Sequence, residues 1–243
     1  MDLRAPMSLL PLRLEGIVFA VGGRRIIDQV SLTIEAGPRT VIVGPNGAGK
    51  SVLLRLCHGL LAPSEGSIRW NSTEVPRAPR RQAMVFQRPV LLRRSALANV
   101  AYALGVAGVP LGPRIARARE ALRKVGLEAQ AAHPARVLSG GEQQRLALAR
   151  AWVLQPEIIF LDEPTASLDP GATQEIENVI LAMAAVGTKI VLVTHNVGQA
   201  RRIGDEILFL HQGRIAERAS AQTFFKHPHS AEAKRFLEGE LPW

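Results

Sequence analysis

A single cysteine, Cys57, stands in a chain of 243 residues. No internal disulfide can form, which fits a reducing compartment. Cys57 falls in a segment that reads as helix and is a small core residue rather than a nucleophile. No apolar run is long and unbroken enough to span a bilayer. The one charge-free stretch, Ser95 to Pro113, is interrupted by Asn99, Gly105, Gly108, Pro110, Gly112 and Pro113, and much of the rest is Ala. That is too weakly apolar and too broken for a spanning helix. Met1 to Pro11 is mixed and short, and gives no secretory signal. No low-complexity tract argues for disorder. Internal repeats and separating linkers are also missing. A soluble protein is expected, with any membrane contact made through a partner.

Lysine is scarce too, at five of the 30 basic residues, and the formal net charge is +9. A basic balance can mean nucleic acid, anionic lipid or acidic partners. There is no long Lys/Arg run, so scattered surface arginine is the preferred reading. The densest cluster, Arg77, Arg80, Arg81, Arg88, Arg93 and Arg94, lacks the interleaved aromatics of a single-strand binding groove. No nucleic-acid partner is expected.

What is present is enough hydrophobic sequence, 47%, to bury a full core. Apolar β-rich runs alternate with helical patterns, which argues for an α/β fold with a mainly parallel sheet. Arg13 to Phe19 and Val30 to Ile34, with a turn signal at Gly22-Gly23, read as an antiparallel β portion. Arg39 to Val43 is a short strand leading into a glycine-rich loop and a helix from Gly49 to about Gly59. Strands are expected at Gly66 to Trp70 and Met84 to Phe86. From about Arg88 to Gln155 helical patterns take over, notably Arg114 to Val125 and Gly141 to Leu154. Strands return at Ile158 to Leu161, Lys189 to Thr194 and Asp205 to Leu210. A hairpin turn at Gln212-Gly213 leads into Arg214 to Glu217, and short helices follow Ser220 up to Trp243. The expected organisation is one domain over residues 1–243. Residues 1–87 and 156–243 form the α/β core with its β portion, and residues 88–155 form a helical subdomain inserted in it.

The loop Gly44-Pro45-Asn46-Gly47-Ala48-Gly49-Lys50-Ser51 matches the P-loop pattern. Its glycines let backbone N–H groups turn toward a phosphate chain, and the following helix adds the positive end of its dipole. Lys50 would reach the β and γ phosphates, and the Ser51 hydroxyl would hold Mg2+. The β-branched strand before the loop and the helix after it are the context the mechanism needs.

Ile158 to Leu161 is a short, fully apolar run ending in Asp162 and Glu163, as a buried parallel strand would. Acids at its C-terminal end would lie where such sheets bind ligands, beside the P-loop. Asp162 could hold Mg2+ and Glu163 could polarise the water that attacks the γ-phosphate. The plainer alternative is a pair of turn or helix-capping carboxylates.

Leu138-Ser-Gly-Gly-Glu-Gln-Gln-Arg145 resembles the signature motif of ATP-binding cassette (ABC) ATPases. Leu161-Asp-Glu-Pro-Thr-Ala-Ser-Leu-Asp169 is similar to the segment that follows it in that family. Gln87 matches the family's Q-loop and His195 its switch histidine. The resemblance runs from about Leu12 to about Arg218. Ser139, Gly140, Gly141 and Glu142 read either as an ordinary helix cap or as an anion site at a helix start, with the helix running from Glu142 onward. The resemblance implies the second. It implies a homodimer packed head-to-tail, each ATP lying between one P-loop and the partner's signature, with Asp169 at the dimer contact. It gives Gln87 to Mg2+ or the attacking water, and His195 to the γ-phosphate and the orientation of Glu163. For His195 the alternative is a hydrogen-bonded residue at a strand end.

Two positions depart from the family pattern. Val21 stands where the family usually has an aromatic that stacks on adenine, and an aliphatic grips a base less well. Val52 follows Ser51 where a second hydroxyl is common. The function implied is an ATP-hydrolysing subunit that energises an ABC membrane transporter, most simply an importer. Its partners would be integral-membrane permease subunits and an extracytoplasmic solute-binding protein. It would sit peripherally on the cytoplasmic face of the inner membrane. Val85 to Ser95 resembles the same segment of tungstate-type and phosphate-type oxyanion importers, and amino-acid import is the alternative. Two other classes stay open: a soluble ABC ATPase acting on nucleic acid or ribosomes, and a non-hydrolysing nucleotide-gated binding module.

Overall fold

A computed structural model describes residues 8–71 and 81–240. Arg77, Arg80, most of the chain's start and Trp243 lie outside the described residues. In chain order come strands β1 (Leu12–Val21), β2 (Arg24–Ile34) and β3 (Thr40–Val43), helix α1 (Lys50–His58), and strands β4 (Glu65–Trp70) and β5 (Gln82–Val85). Helices α2 (Ala96–Val106), α3 (Leu111–Lys124) and α4 (Gly140–Trp152) follow, then β6 (Ile158–Asp162) and α5 (Pro170–Ala185). The rest is β7 (Lys189–Val193), α6 (Val197–Ile203), β8 (Glu206–His211), β9 (Arg214–Ser220), α7 (Ala221–Lys226) and α8 (Ala231–Leu237). Residues 8–71 with 189–240 make one compact unit, and residues 81–188 make a second.

In the first unit, β1 pairs antiparallel with β2 and with β4. The β1–β2 hairpin turns at Gly22 and Gly23, both at positive φ (56° and 78°), as a two-residue hairpin loop requires. Strand β3 pairs parallel with both β7 and β8, and β9 returns antiparallel along β8. All four residues of β3 and all five of β7 are buried. Strands covered on both faces read as nearly continuous apolar runs, and these do apart from Thr40 and Lys189 at their starts. Helix α1 is bounded by two left-handed glycines, Gly49 (φ 100°) and Gly59 (φ 83°). The Gly59 amide donates to the Leu56 carbonyl at 3.0 Å, which closes the last turn. Cys57 is 1% exposed, and burial drives its thiol pKa up to about 12. It is an inert core residue, as expected. The short C-terminal helices are pinned by Phe224 and Phe236, whose rings lie 5.9 and 5.1 Å from that of Phe209.

In the second unit, β5 and β6 pair parallel from Gln82–Ile158 to Val85–Leu161. Helices α2, α3 and α4 pack together, and α4 also packs on α5. Two helices here were not singled out in the sequence. Helix α2 is Ala-rich and uncharged, so it has little contrast between faces. Its start is set by Ser95, whose side chain accepts from the Ala98 amide at 3.2 Å. Helix α5 opens with Pro170 and Gly171, two residues that are poor helix formers. Asp169 caps it, and Pro at the first helical position fits a helix start. Among the described residues no helix is long and apolar enough to cross a membrane. In the arginine cluster, Arg81 is paired with Glu157, and Arg94 lies over the ring of Tyr102 at 5.6 Å.

Candidate functional site

In the first unit, β3 delivers the chain into the P-loop and α1 takes it away. Gly44 sits at φ 151°, where a Cβ would lie 2.0 Å from the Leu210 carbonyl oxygen. Gly49 is nearly as constrained, 2.8 Å from the carbonyl of Ile26. The Ala48 amide donates to the Pro45 carbonyl at 3.2 Å, and the Ala48 carbonyl accepts from Gly213 at 3.1 Å. The β8–β9 turn therefore braces the loop. Asn46 and Gly47 are exposed at its tip, while Pro45 and Ala48 are buried. Lys50 is 6% exposed, and its Nζ donates to the carbonyls of Gly44 (2.7 Å) and Pro45 (3.0 Å). Its ammonium is thus held over the loop itself, where a phosphate chain would meet it. Ser51 and Val52 follow, half-buried, in the first turn of α1.

His195 belongs to the same half of the site. The parallel register pairs Ile42 with Val193, and the Thr194 amide donates to the Ile42 carbonyl at 3.3 Å. Two residues further on each strand are Gly44 and His195. His195 is exposed and immediately precedes Asn196, whose side chain caps α6 through the Gln199 amide at 2.9 Å. Val21 ends β1 and is 58% exposed.

The second unit repeats this logic with other strands. Val85 pairs with Leu161, and two residues further on are Gln87 and Glu163. Their side chains meet: Gln87 Nε2 donates to Glu163 Oε2 at 3.4 Å. Asp162, the last residue of β6, is 4% exposed. Glu163 is held at φ 47°, a left-handed conformation rare outside glycine. Such strain persists where the surroundings impose it, and it is common at functional sites. Nothing in the sequence signals it.

The signature segment corrects one expectation. The helix begins at Gly140, not at Glu142, and the two glycines form its first turn. A capping box sets the start: the Glu142 amide donates to Ser139 Oγ at 3.3 Å, and the Ser139 amide donates to the Glu142 carboxylate at 2.8 Å. Gly141 has a packing reason as well, since a Cβ there would lie 2.7 Å from that of Ala172. Asp169 is exposed, and its Oδ1 accepts from the Ala172 amide at 2.9 Å. The cap leaves the remaining N-terminal amides of α4 able to meet an anion.

Three further residues hold the segment after β5. Gln144, 2% exposed, donates to the Phe86 carbonyl at 3.1 Å. Arg150 donates to the Val90 carbonyl at 2.6 Å. Asn99, fully buried, accepts from the Leu92 amide and donates to the carbonyls of Leu92, Arg94 and Ser95. A signal for Gln144 did exist. Gly141, Gln144, Leu148 and Ala151 form a buried stripe at helical spacing, and an amide in such a stripe needs a partner.

Two features of the donor chemistry suit a nucleotide with a hard cation. In the first unit the loop offers the buried Lys50 ammonium, an exposed tip and the Ser51 hydroxyl, and in the second unit the end of β6 offers the carboxylates of Asp162 and Glu163. Among the described residues no group of three or more His, Cys, Asp or Glu could hold a metal alone. Mg2+ commonly takes one or two protein oxygens and completes its shell with phosphates and water.

Residues 27–166 match the family model for ABC transporters. The chain is 41% identical over 197 residues to the tungstate uptake system ATP-binding protein TupC of Peptoclostridium acidaminophilum, covering 81% of this chain and 92% of that protein. It is 38% identical to the methionine import ATP-binding protein MetN of Caulobacter vibrioides, covering 92% and 71%. Among solved structures it resembles an ATP-binding cassette, MJ0796, in a dimeric post-hydrolysis state bound to ADP and Pi. The TM-score is 0.75 at 30% identity, covering 86% of this chain and 98% of that one.

Proposed function

The chain belongs to the ABC transporter family as an ATP-hydrolysing subunit, and from that premise we propose that it drives import of a small solute as a homodimer bound to membrane permease subunits. The observation that carries import is the similarity to an uptake-system ATPase over 92% of that protein's length. The dimeric ADP-bound relative supports the homodimer. In the proposed homodimer, each ATP lies between the P-loop of one subunit and Ser139, Gly140, Gly141 and Glu142 of the other, with Asp169 at the contact.

In this reading the P-loop amides and Lys50 bind the phosphates. Glu163 takes a proton from the attacking water as its oxygen bonds to the γ-phosphorus. The bond to the β-phosphate oxygen then breaks, leaving ADP and phosphate. Gln87, by donating to Glu163, orients the carboxylate so that its other oxygen faces the water. His195, beside the P-loop, contacts the γ-phosphate. Ser51, Gln87 and Asp162 supply oxygen ligands for Mg2+, which offsets phosphate charge when bound. The subunit sits peripherally on the cytoplasmic face of the membrane, and the complete system includes an extracytoplasmic solute-binding protein. For cargo we favour an oxyanion of the tungstate type, following the similarity to TupC. The methionine-import relative at 38% keeps an amino acid as the second reading.

The test is ATP turnover with Mg2+, together with molecular mass by light scattering, for the parent and Glu163→Gln. General-base removal lowers turnover by roughly 10²- to 10⁴-fold. The expected variant is inactive and accumulates as an ATP-bound dimer. A Glu163→Gln protein as fast as the parent would remove the assigned base. A parent that stays monomeric with ATP, alone and with its permease, would remove the composite site.

A further inference from the structure

Helix α4 carries the signature at its start and, further along, grips the segment that follows β5. Gln144 Nε2 reaches the carbonyl of Phe86 at 3.1 Å, and Arg150 Nη1 reaches the carbonyl of Val90 at 2.6 Å. Between those two carbonyls sits Gln87, whose side chain touches Glu163 at 3.4 Å. Gln144 and Arg150 are separated by a rise of about 9 Å, so the segment is held at two points along the helix.

The two anchors differ in kind. Gln144 is 2% exposed, so its amide cannot readily trade a protein partner for water. Arg150 is partly buried, and desolvation lowers its pKa. Among the described residues its Nε has no hydrogen-bond partner, and its Nη1 ties it to the segment through the Val90 carbonyl. Each donates to a main-chain carbonyl on one side of Gln87, and a backbone carbonyl held in place fixes the peptide that follows it.

We propose that Gln144, assisted by Arg150, is a positioning residue for hydrolysis: it ties the signature helix to the backbone of Gln87 and so holds the Gln87 amide against Glu163. Any displacement of α4 at its signature end is then transmitted to the Gln87–Glu163 contact through the Phe86 carbonyl. The proposal rests on the reading of Glu163 as the base.

Gln144→Met keeps the volume and removes the donor, and Gln144→Glu keeps the shape and places a carboxylate against the Phe86 carbonyl. Two readouts are taken on the purified full chain with its permease. Hydrogen–deuterium exchange at the amides of Gln87, Arg88, Val90 and Leu91 is expected to rise at least tenfold in both variants, with β6 and α5 unchanged. ATP turnover is expected to show kcat about tenfold lower with KM for ATP within twofold of the parent, because the P-loop is untouched. A bulk loss of folding would instead raise exchange throughout residues 81–188. If either variant does not fold, Arg150→Gln is expected to raise exchange at residues 90–92 alone. Unchanged exchange at residues 87–91 together with unchanged kcat in Gln144→Met overturns the proposal. Glu163→Gln is run beside them. Should it keep full turnover, the reading of Glu163 fails, while the exchange result still decides whether Gln144 holds the segment.

Discussion

Gly141 in the first turn of α4 faces Ala172 in the first turn of α5 so closely that a Cβ on Gly141 would lie 2.7 Å from the Ala172 methyl. Overpacking of this kind costs about 1–3 kcal/mol. Gly141→Ala should lose that much stability in urea unfolding, and ATP turnover should fall with it. The missing Cβ points at α5 rather than out of the helix end. Ala172→Gly added to Gly141→Ala should therefore restore turnover and most of the stability, less about 0.5–1 kcal/mol for a helical glycine. A double variant that stays stable but inactive would show that the signature itself needs glycine at this position.

Gly44 and Gly47 belong to one loop but should respond differently. At Gly44 a Cβ would sit 2.0 Å from the Leu210 carbonyl oxygen, while at Gly47 nothing lies within 4 Å and only φ, 76°, resists a side chain. Gly44→Ala should fail to give a stable protein, a loss above about 4 kcal/mol. Gly47→Ala should fold with a loss of about 1–2 kcal/mol and bind ATP more weakly. Thermal unfolding and nucleotide titration of the two variants check this. Equal stability of both would contradict the bracing of the loop by β8.

Lys189 is 2% exposed, with its Nζ on the Pro38 carbonyl and on Thr40 Oγ1. Burial, opposed by the charge of Glu206, brings its pKa down from 10.5 to about 8. Below pH 8 the folded and unfolded chains both hold the proton, and folding carries the full cost of the buried ammonium. Between about pH 8 and 10.5 the unfolded chain binds the proton more tightly, so stability rises with pH through that window. Relative to Lys189→Met, the parent should gain up to about 3 kcal/mol across it. Urea unfolding of both proteins from pH 7.5 to 10.5 measures the difference. A difference that does not change with pH would sink the assignment.

Val21 is 58% exposed at the end of β1. If adenine lies against it, Val21→Tyr should add about 0.5–1.5 kcal/mol of stacking. That is roughly a two- to tenfold lower KM for ATP, with kcat unchanged. Steady-state kinetics at varied ATP would read it, and an unchanged KM would place the base elsewhere.

Much of the fold was legible because its signals are local. The hairpin at Gly22-Gly23, the glycine-bounded α1 and the apolar runs of β3, β6 and β7 stand where the sequence put them, within a residue or two. The exceptions have physical causes. Helix α2 offers Ala where a helix usually alternates its faces. Helix α5 hides its start behind Pro170-Gly171. The signature helix begins early because Ser139 and Glu142 cap each other. The helical stripe marks Gln144 as buried, but its partner, the Phe86 carbonyl, is 58 residues away and no local signal names it.

The sequence alone determined which groups are available: the glycine loop with Lys50 and Ser51, the acids closing an apolar strand, and the capped Ser139 turn. Each depends on residues adjacent in the chain, whose backbone preferences and hydrogen bonds act over one or two turns. Only the tertiary structure decided which of them meet. Gln87 reaches Glu163 across a separation of 76 residues, and the pairing of β3 with β7 sets side by side the strand ends that lead into Gly44 and His195. Parallel strands are joined by long crossovers, so their register is fixed by packing of the whole sheet and not by any turn within it. The left-handed backbone of Glu163 was likewise beyond the sequence, because strain at one residue is sustained only by the structure around it.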